Sequence, residues 1–308
     1  MIDIRWCSSA RWPYVDALPS ALRRLGYQLV VDPSYDEETI ANCDEDIVIL
    51  DFCDWQVARW SAERRKSFIV VRVHGPELEM GSVLKRIDWR NVDLLVGVNP
   101  ALRKLAPVRF VHIGYAVDMN EHTFIEREFG VPHRLGIFTI DVEREGIDGA
   151  FRLWWQFDGP DGGRAGMWNL WVKAFGLWQG QRMRRIQHSC SHHALAHRVR
   201  LENLASERRF WEGIEVAWSP GGDGAADVPM LEAMASGCYP LVRNRRGAKE
   251  TFGKYVYENE SDFVDRLAAW GKRPKAEKAN ESRQIRDWIV ARNDADLIAQ
   301  RFVEAIGG

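Results

Sequence analysis

The sequence predicts an α/β protein made of two halves, each a doubly wound parallel sheet. Three observations carry that reading. Short apolar runs recur without polar alternation, as in strands covered on both faces. Helical patterns separate the runs, so crossovers join the strands and leave them parallel. A turn-like stretch over 114–120 divides the series in two.

Residues 2–7 form the first β-type run. A polar, aromatic loop follows (Ser8-Ser9-Ala10-Arg11-Trp12-Pro13-Tyr14), then a helical pattern over 15–25 that Gly26 stops. Residues 27–31 and 46–50 read as strands and 55–65 as a helix, with further strands over 68–73, 92–98 and 108–113. In the second half, 135–140 and 151–157 read as strands. Residues 167–178 read as a helix, because Trp168, Trp171, Val172, Phe175 and Trp178 share a helical face. A short strand over 214–218 leads into a loop over 219–224. A helix over 230–236 is stopped by Gly237, a strand follows over 239–243, and the last helices span 261–270 and 281–306. The boundary between the halves falls near 115–132.

The 308 residues are 46% hydrophobic and 28% charged, enough to bury a sizeable core. Forty-two Lys and Arg against 44 Asp and Glu leave a net charge of −2, which argues against a surface wholly given to nucleic acid. Five scattered cysteines read as reduced thiols of a cytoplasmic protein. The N-terminus has no signal-peptide pattern, and no run reaches the roughly 18 apolar residues of a membrane span. A Rossmann oxidoreductase is disfavoured, since no Gly-x-Gly-x-x-Gly follows the first strand.

The most informative stretch runs Ser219-Pro220-Gly221-Gly222-Asp223-Gly224-Ala225-Ala226-Asp227-Val228-Pro229-Met230-Leu231-Glu232-Ala233-Met234-Ala235-Ser236-Gly237, then Cys238-Tyr239-Pro240-Leu241-Val242. A strand end, a Gly-rich loop and a helix start present backbone N–H groups and a positive dipole end, which suits a diphosphate. Glu232, one turn into that helix, is placed to accept hydrogen bonds from a ribose diol.

This segment resembles the donor-binding signature of retaining GT-B glycosyltransferases of the family 4 type (glycosyl transferases group 1). Other stretches resemble the same family in the same order along the chain. They are Val71-Arg72-Val73-His74-Gly75, the run from Val92 to Arg103, Val111-His112-Ile113-Gly114-Tyr115-Ala116-Val117-Asp118, and Gly247-Ala248-Lys249-Glu250. The resemblance implies two Rossmann-like domains facing across a cleft. Residues 1–118 would be the acceptor side and 119–280 the nucleotide-sugar domain, with 281–308 a helix returning to the first domain. It implies sugar transfer from a nucleoside diphosphate sugar (UDP- or GDP-linked) to an acceptor hydroxyl with retention, without a required cofactor or metal.

In residue terms, the resemblance implies Glu232 on the ribose, with Val228, Pro229, Met230 and Glu250 at the donor. Arg164 is preferred for the diphosphate, and His74 lies near the reacting centre. The family carries a glutamate eight residues before Glu232. Gly224 stands there, and Asp223 and Asp227 are the nearby acids that remain for the sugar hydroxyls. Trp12 and Tyr14, in the first strand-to-helix loop, are candidates for stacking on an acceptor.

His193 and His197 have zinc-compatible spacing, but a structural zinc takes four ligands and no metal is expected. Seven arginines between 181 and 209 read either as a solvated basic face or as a surface for an anionic partner such as nucleic acid. A saccharide or lipid-linked glycan is the expected acceptor, and peripheral contact with a membrane stays open. Two alternatives also remain: a DNA glycosyltransferase acting on a hydroxymethylated base, and a nucleotide-sugar-binding protein without catalysis.

Overall fold

The structure, a computed structural model, describes residues 2–8, 17–32, 42–53, 55–74, 81–104, 108–139, 146–158, 167–174, 184, 188, 199–202, 207–221 and 227–307. The chain divides into two compact units, Met1–Asp118 with Arg292–Gly308, and Met119–Ala291. In chain order the first unit supplies β1 (Asp3–Ser8), α1 (Leu18–Arg24), β2 (Gln28–Asp32), β3 (Ile47–Asp51), α2 (Trp55–Trp60), β4 (Phe68–Val73), α3 (Gly81–Leu84), β5 (Leu94–Gly97) and β6 (Phe110–His112). The second opens with β7 (His133–Thr139), α4 (Ile147–Asp158), β8 (Trp168–Ala174), β9 (Val199–Glu202), α5 (Glu207–Glu212) and β10 (Val216–Ser219). It continues with α6 (Asp227–Ala235), β11 (Tyr239–Arg243), α7 (Ala248–Phe252), β12 (Val256–Tyr257), α8 (Glu260–Lys272) and α9 (Lys275–Asn293), before α10 (Ala295–Gly307) rejoins the first unit.

Each unit holds one six-stranded sheet, in the order β2-β1-β3-β4-β5-β6 and β12-β11-β10-β7-β8-β9. Every pairing within them is parallel. The unbroken apolar runs have a direct cause in the first unit. Ile4, Trp6, Ile47, Ile49 and Val70 face a core closed by α1 and α10 through Leu18, Leu22, Ile298 and Phe302. Their neighbours Cys7, Val48, Leu50, Ile69 and Val71 face the opposite core, closed by Val57, Trp60 and Leu84. Both phases of the strand alternation are buried, so both are mainly apolar.

Two elements differ from the sequence expectation. Residues 151–157 are helical within α4, and 168–174 form strand β8, the reverse of the pattern reading. In α4 the buried positions Ile147, Ala150, Phe151, Trp154 and Phe157 recur at helical spacing. In β8, Trp168, Leu170 and Val172 are buried while Asn169 and Trp171 are partly exposed, a period of two. Phe175 and Trp178, which extended the apparent helical stripe, lie outside the described residues. The expected single helix over 281–306 is two helices. Asp294 interrupts it, its carboxylate accepting from the backbone N–H groups of Asp296 (2.9 Å) and Leu297 (3.4 Å) as the N-cap of α10.

Helix α6 ends as the sequence indicates, at Gly237. The Cys238 N–H donates to the Ala233 carbonyl and the Gly237 N–H to that of Met234, both at 2.9 Å, a Schellman closure with Gly237 at φ +85°. A Cβ there would lie 2.7 Å from the Phe124 ring. Gly237→Ala is expected to lower stability by about 1–3 kcal/mol, from left-handed strain and this collision. A urea midpoint shifted down with unchanged slope is the result that checks it.

Among the described residues, no helix is long and apolar enough to cross a membrane.

Candidate functional site

In an open parallel sheet, ligands bind beyond the carboxyl ends of the strands where the strand order reverses. In the second unit that reversal lies between β7 and β10. The end of β10 is fully buried, and Ser219 leads through Pro220 and Gly221 toward α6. At the same sheet edge is a cavity of about 180 Å³. It is lined by Gly146 and Gly149 at the start of α4, Trp218 of β10 and Pro220 after it, Arg243 at the end of β11, and Tyr257 of β12. That volume is below the roughly 300–1,000 Å³ of pockets for drug-sized ligands, so it suits one moiety of a larger molecule. Glu232 does not line this cavity.

Glu232 sits in the second turn of α6 and is 8% exposed. Its Oε1 lies 3.4 Å from Nε2 of His122, a buried residue of the segment before β7. Val228, Pro229 and Met230 have buried side chains, so what they offer a ligand is backbone.

Three arginines fix this helix. At its start, Arg245 donates to Ser219 Oγ (3.3 Å) and the Gly221 carbonyl (3.1 Å) and pairs with the Asp227 carboxylate. At its end, Arg286 donates to the Ala235 carbonyl at 2.8 Å, and also to those of His122 and Met119 (3.3 Å). Arg127 donates to the carbonyls of Ser236 (2.6 Å), Ile214 (2.6 Å) and Trp211 (3.1 Å). Cations at a helix C-terminus satisfy its last carbonyls and complement its dipole.

The sequence reading did not place Arg127, Arg245 or Arg286 at this helix. The signal available was the cluster Arg243-Asn244-Arg245-Arg246 directly after a strand. Asp227, expected on sugar hydroxyls, is found in the Arg245 ion pair at the helix start. Glu250 is exposed on α7. Trp12, Tyr14, Arg164 and Asp223 lie outside the described residues, as do His193, His197 and most of the basic stretch 181–209. Among the described residues, no cluster of three or more His, Cys, Asp or Glu side chains could hold a metal ion.

In the first unit the order reverses between β1 and β3. Asp51, the last residue of β3, is fully buried there and pairs in register with Ser8. Its Oδ1 accepts from Arg72 (3.3 Å) and meets His74 Nε2 at 2.7 Å, while Oδ2 accepts from the Trp6 indole N–H at 3.2 Å. Burial pushes the Asp51 carboxyl up, but His74 and Arg72 more than offset this and hold it below its ordinary value. The His74 ring is stacked on Phe52 at 3.8 Å, with Tyr115 at 5.4 Å. Phe52 has φ 65°, a left-handed backbone that a bulky side chain rarely adopts. The sequence reading singled out His74, but not the residues Asp51, Arg72 and Phe52 that surround it.

No protein-family model matches the sequence, and a search of curated proteins finds no match. Solved structures do match. Sucrose-phosphate synthase from Thermosynechococcus elongatus is similar at 13% identity with a TM-score of 0.76, over 99% of this chain and 98% of that one. Anabaena HepE, solved with UDP and glucose, is similar at 12% identity and a TM-score of 0.74, over 100% of both chains. The fold is GT-B. A glycosyltransferase from Rickettsia africae is similar at 11% identity and a TM-score of 0.70, over 99% of this chain and 97% of that one. GT-B chains are built from two Rossmann-like units, as the two parallel sheets here are.

Proposed function

We propose that this GT-B chain is a glycosyltransferase of the retaining, family 4-like type, moving a sugar from a nucleoside diphosphate sugar to an acceptor hydroxyl. The observation that carries the reading is Glu232, buried on the arginine-braced helix that leaves the switch-point strand β10. A carboxylate there accepts from a ribose diol. The backbone at 227–229 and the start of α6 face negative charge favourably. Solved structures with this fold include one holding UDP, which supports a nucleotide in the donor role. The donor is UDP- or GDP-linked, and the acceptor is a saccharide or lipid-linked glycan.

In this reading the second unit binds the donor, with Arg164 on the diphosphate, Glu250 nearby, and Asp223 and Asp227 on sugar hydroxyls. The first unit is the acceptor side, with His74 near the reacting centre and Trp12 and Tyr14 stacking on the acceptor. Little covalent work is asked of the protein. Fixed N–H groups and cations meet the charge that develops on the leaving diphosphate, and such preorganised electrostatics supply most of the rate in many enzymes.

Arg245 braces the loop and helix that meet the donor. Arg245→Ala removes the Arg245–Asp227 ion pair and the bonds to Ser219 and Gly221, and is expected to weaken nucleoside diphosphate binding roughly 5- to 150-fold, checked by calorimetric titration. The reading itself is tested by incubation with UDP- and GDP-sugars, with and without glycan acceptors. Release of one nucleoside diphosphate, accelerated by an acceptor, supports it; no release from any donor over long incubation contradicts it.

A further inference from the structure

Besides Glu232 with His122, each unit buries a carboxylate against a histidine at the end of a strand, and the two lie at opposite edges of their sheets. Glu215, immediately before β10, contacts His133 at the first residue of β7, which is the amino-terminal edge. Asp51 ends β3 and His74 follows β4, which is the carboxyl-terminal edge, beside the strand-order reversal. Only the second kind of place is where open α/β sheets bind ligands.

We propose that Asp51 is the positioning residue of His74, fixing the orientation of the ring and holding its proton on Nε2, so that Nδ1 is the ring's acceptor atom. This rests on the reading of His74 as a group near the transferred sugar. The chemistry starts from Asp51. An ionised carboxylate only accepts, so the 2.7 Å contact requires a proton on Nε2. Arg72, fully buried at 3.3 Å, keeps that carboxylate charged, and the Trp6 N–H fixes its second oxygen. A neutral imidazole with Nε2–H carries its lone pair on Nδ1.

Orientation is fixed as well as tautomer. Phe52 stacks on the imidazole with an interplanar angle of 13°, and its own N–H donates to the Arg72 carbonyl at 3.1 Å. The left-handed backbone of Phe52 directs its ring onto His74 while Asp51, one residue earlier, meets the ring edge. Backbone strain of this kind persists where the surroundings over-determine it, and it clusters at ligand sites.

The test is a long-range proton–nitrogen spectrum of the ¹⁵N-labelled protein, with His74 assigned by the signal lost in His74→Gln. A protonated Nε2 and unprotonated Nδ1 are expected in the wild type. In Asp51→Asn the carboxamide can donate to Nε2, so the ring is expected to shift toward the Nδ1–H tautomer. Nucleoside diphosphate release from the preferred UDP- or GDP-sugar should then fall roughly 5- to 150-fold in kcat, with a smaller change in KM. A wild-type His74 protonated on Nδ1 would overturn the proposal, and this spectrum decides even if Asp51→Asn does not fold. A folded Asp51→Asn protein with unchanged tautomer and kcat would also overturn it. Absence of transfer with every donor, alongside an Nε2-protonated His74 that responds to Asp51→Asn, overturns the glycosyl-transfer reading while the Asp51–His74 coupling stands.

Discussion

Glu215→Gln is expected to destabilise the second unit by about 3–5 kcal/mol, the usual effect of breaking a buried ion pair from one side. Glu215 Oε1 accepts from the Trp270 indole N–H at 2.9 Å and from Lys278 Nζ at 3.0 Å, while Oε2 meets His133 Nδ1 at 3.0 Å. Lys278 is only 2% exposed. Glutamine keeps the shape but leaves that ammonium buried without a countercharge. Lys278→Met added to Glu215→Gln should recover much of the loss, because the uncompensated charge is then gone. Urea unfolding followed by tryptophan fluorescence measures both, and an unchanged midpoint in Glu215→Gln would contradict the assignment. The pH dependence has a definite sign. Burial raises the Glu215 carboxyl, but His133 and Lys278 outweigh it and hold the group below its ordinary value. Its contribution is therefore complete above the ordinary glutamate range near 4.3 and is lost as pH falls through the lower folded value. Asp51 contributes with the same sign in the first unit. Glu215→Gln should lack the part of this acid-side loss that Glu215 itself contributes.

Glu232→Ala is expected to weaken nucleoside diphosphate binding by about 1–3 kcal/mol, roughly 5- to 150-fold, while leaving the fold intact. The size follows from burial: two ribose hydroxyls would lose an acceptor where little water can replace it. Glu232→Gln keeps one acceptor oxygen and should lose less. A 2′-deoxy nucleotide should be less sensitive to either change than the ribonucleotide. Equal sensitivity would place Glu232 away from the ribose.

The first sheet was legible because its inner strands β1, β3, β4 and β5 are buried on both faces, so apolar continuity marks them. Segment 227–237 was legible because helix start, small-residue interior and Gly237 all agree. The α4 and β8 exchange was not. Tryptophans at 154, 155, 168 and 171 fit either period locally, and only tertiary burial separates Trp154, on a helix face, from Trp168, on a sheet face. Polar groups inside apolar strands were missed for a related reason. Asp51 and Arg72 look like strand-end charges in sequence, and their partners lie 21 to 45 residues away. Arg127 likewise reaches carbonyls 84 to 109 residues on, which no local pattern announces.

The most direct test of the glycosyl-donor role is thermal stability measured against a panel of nucleotides and nucleotide sugars, in the wild type and in Glu232→Ala. A ligand that binds the folded state raises its stability by mass action. The expected result is a rise in Tm with one nucleoside diphosphate and its sugar conjugates, reduced or abolished in the variant. No rise with any nucleotide, or an equal rise in both proteins, would contradict that role.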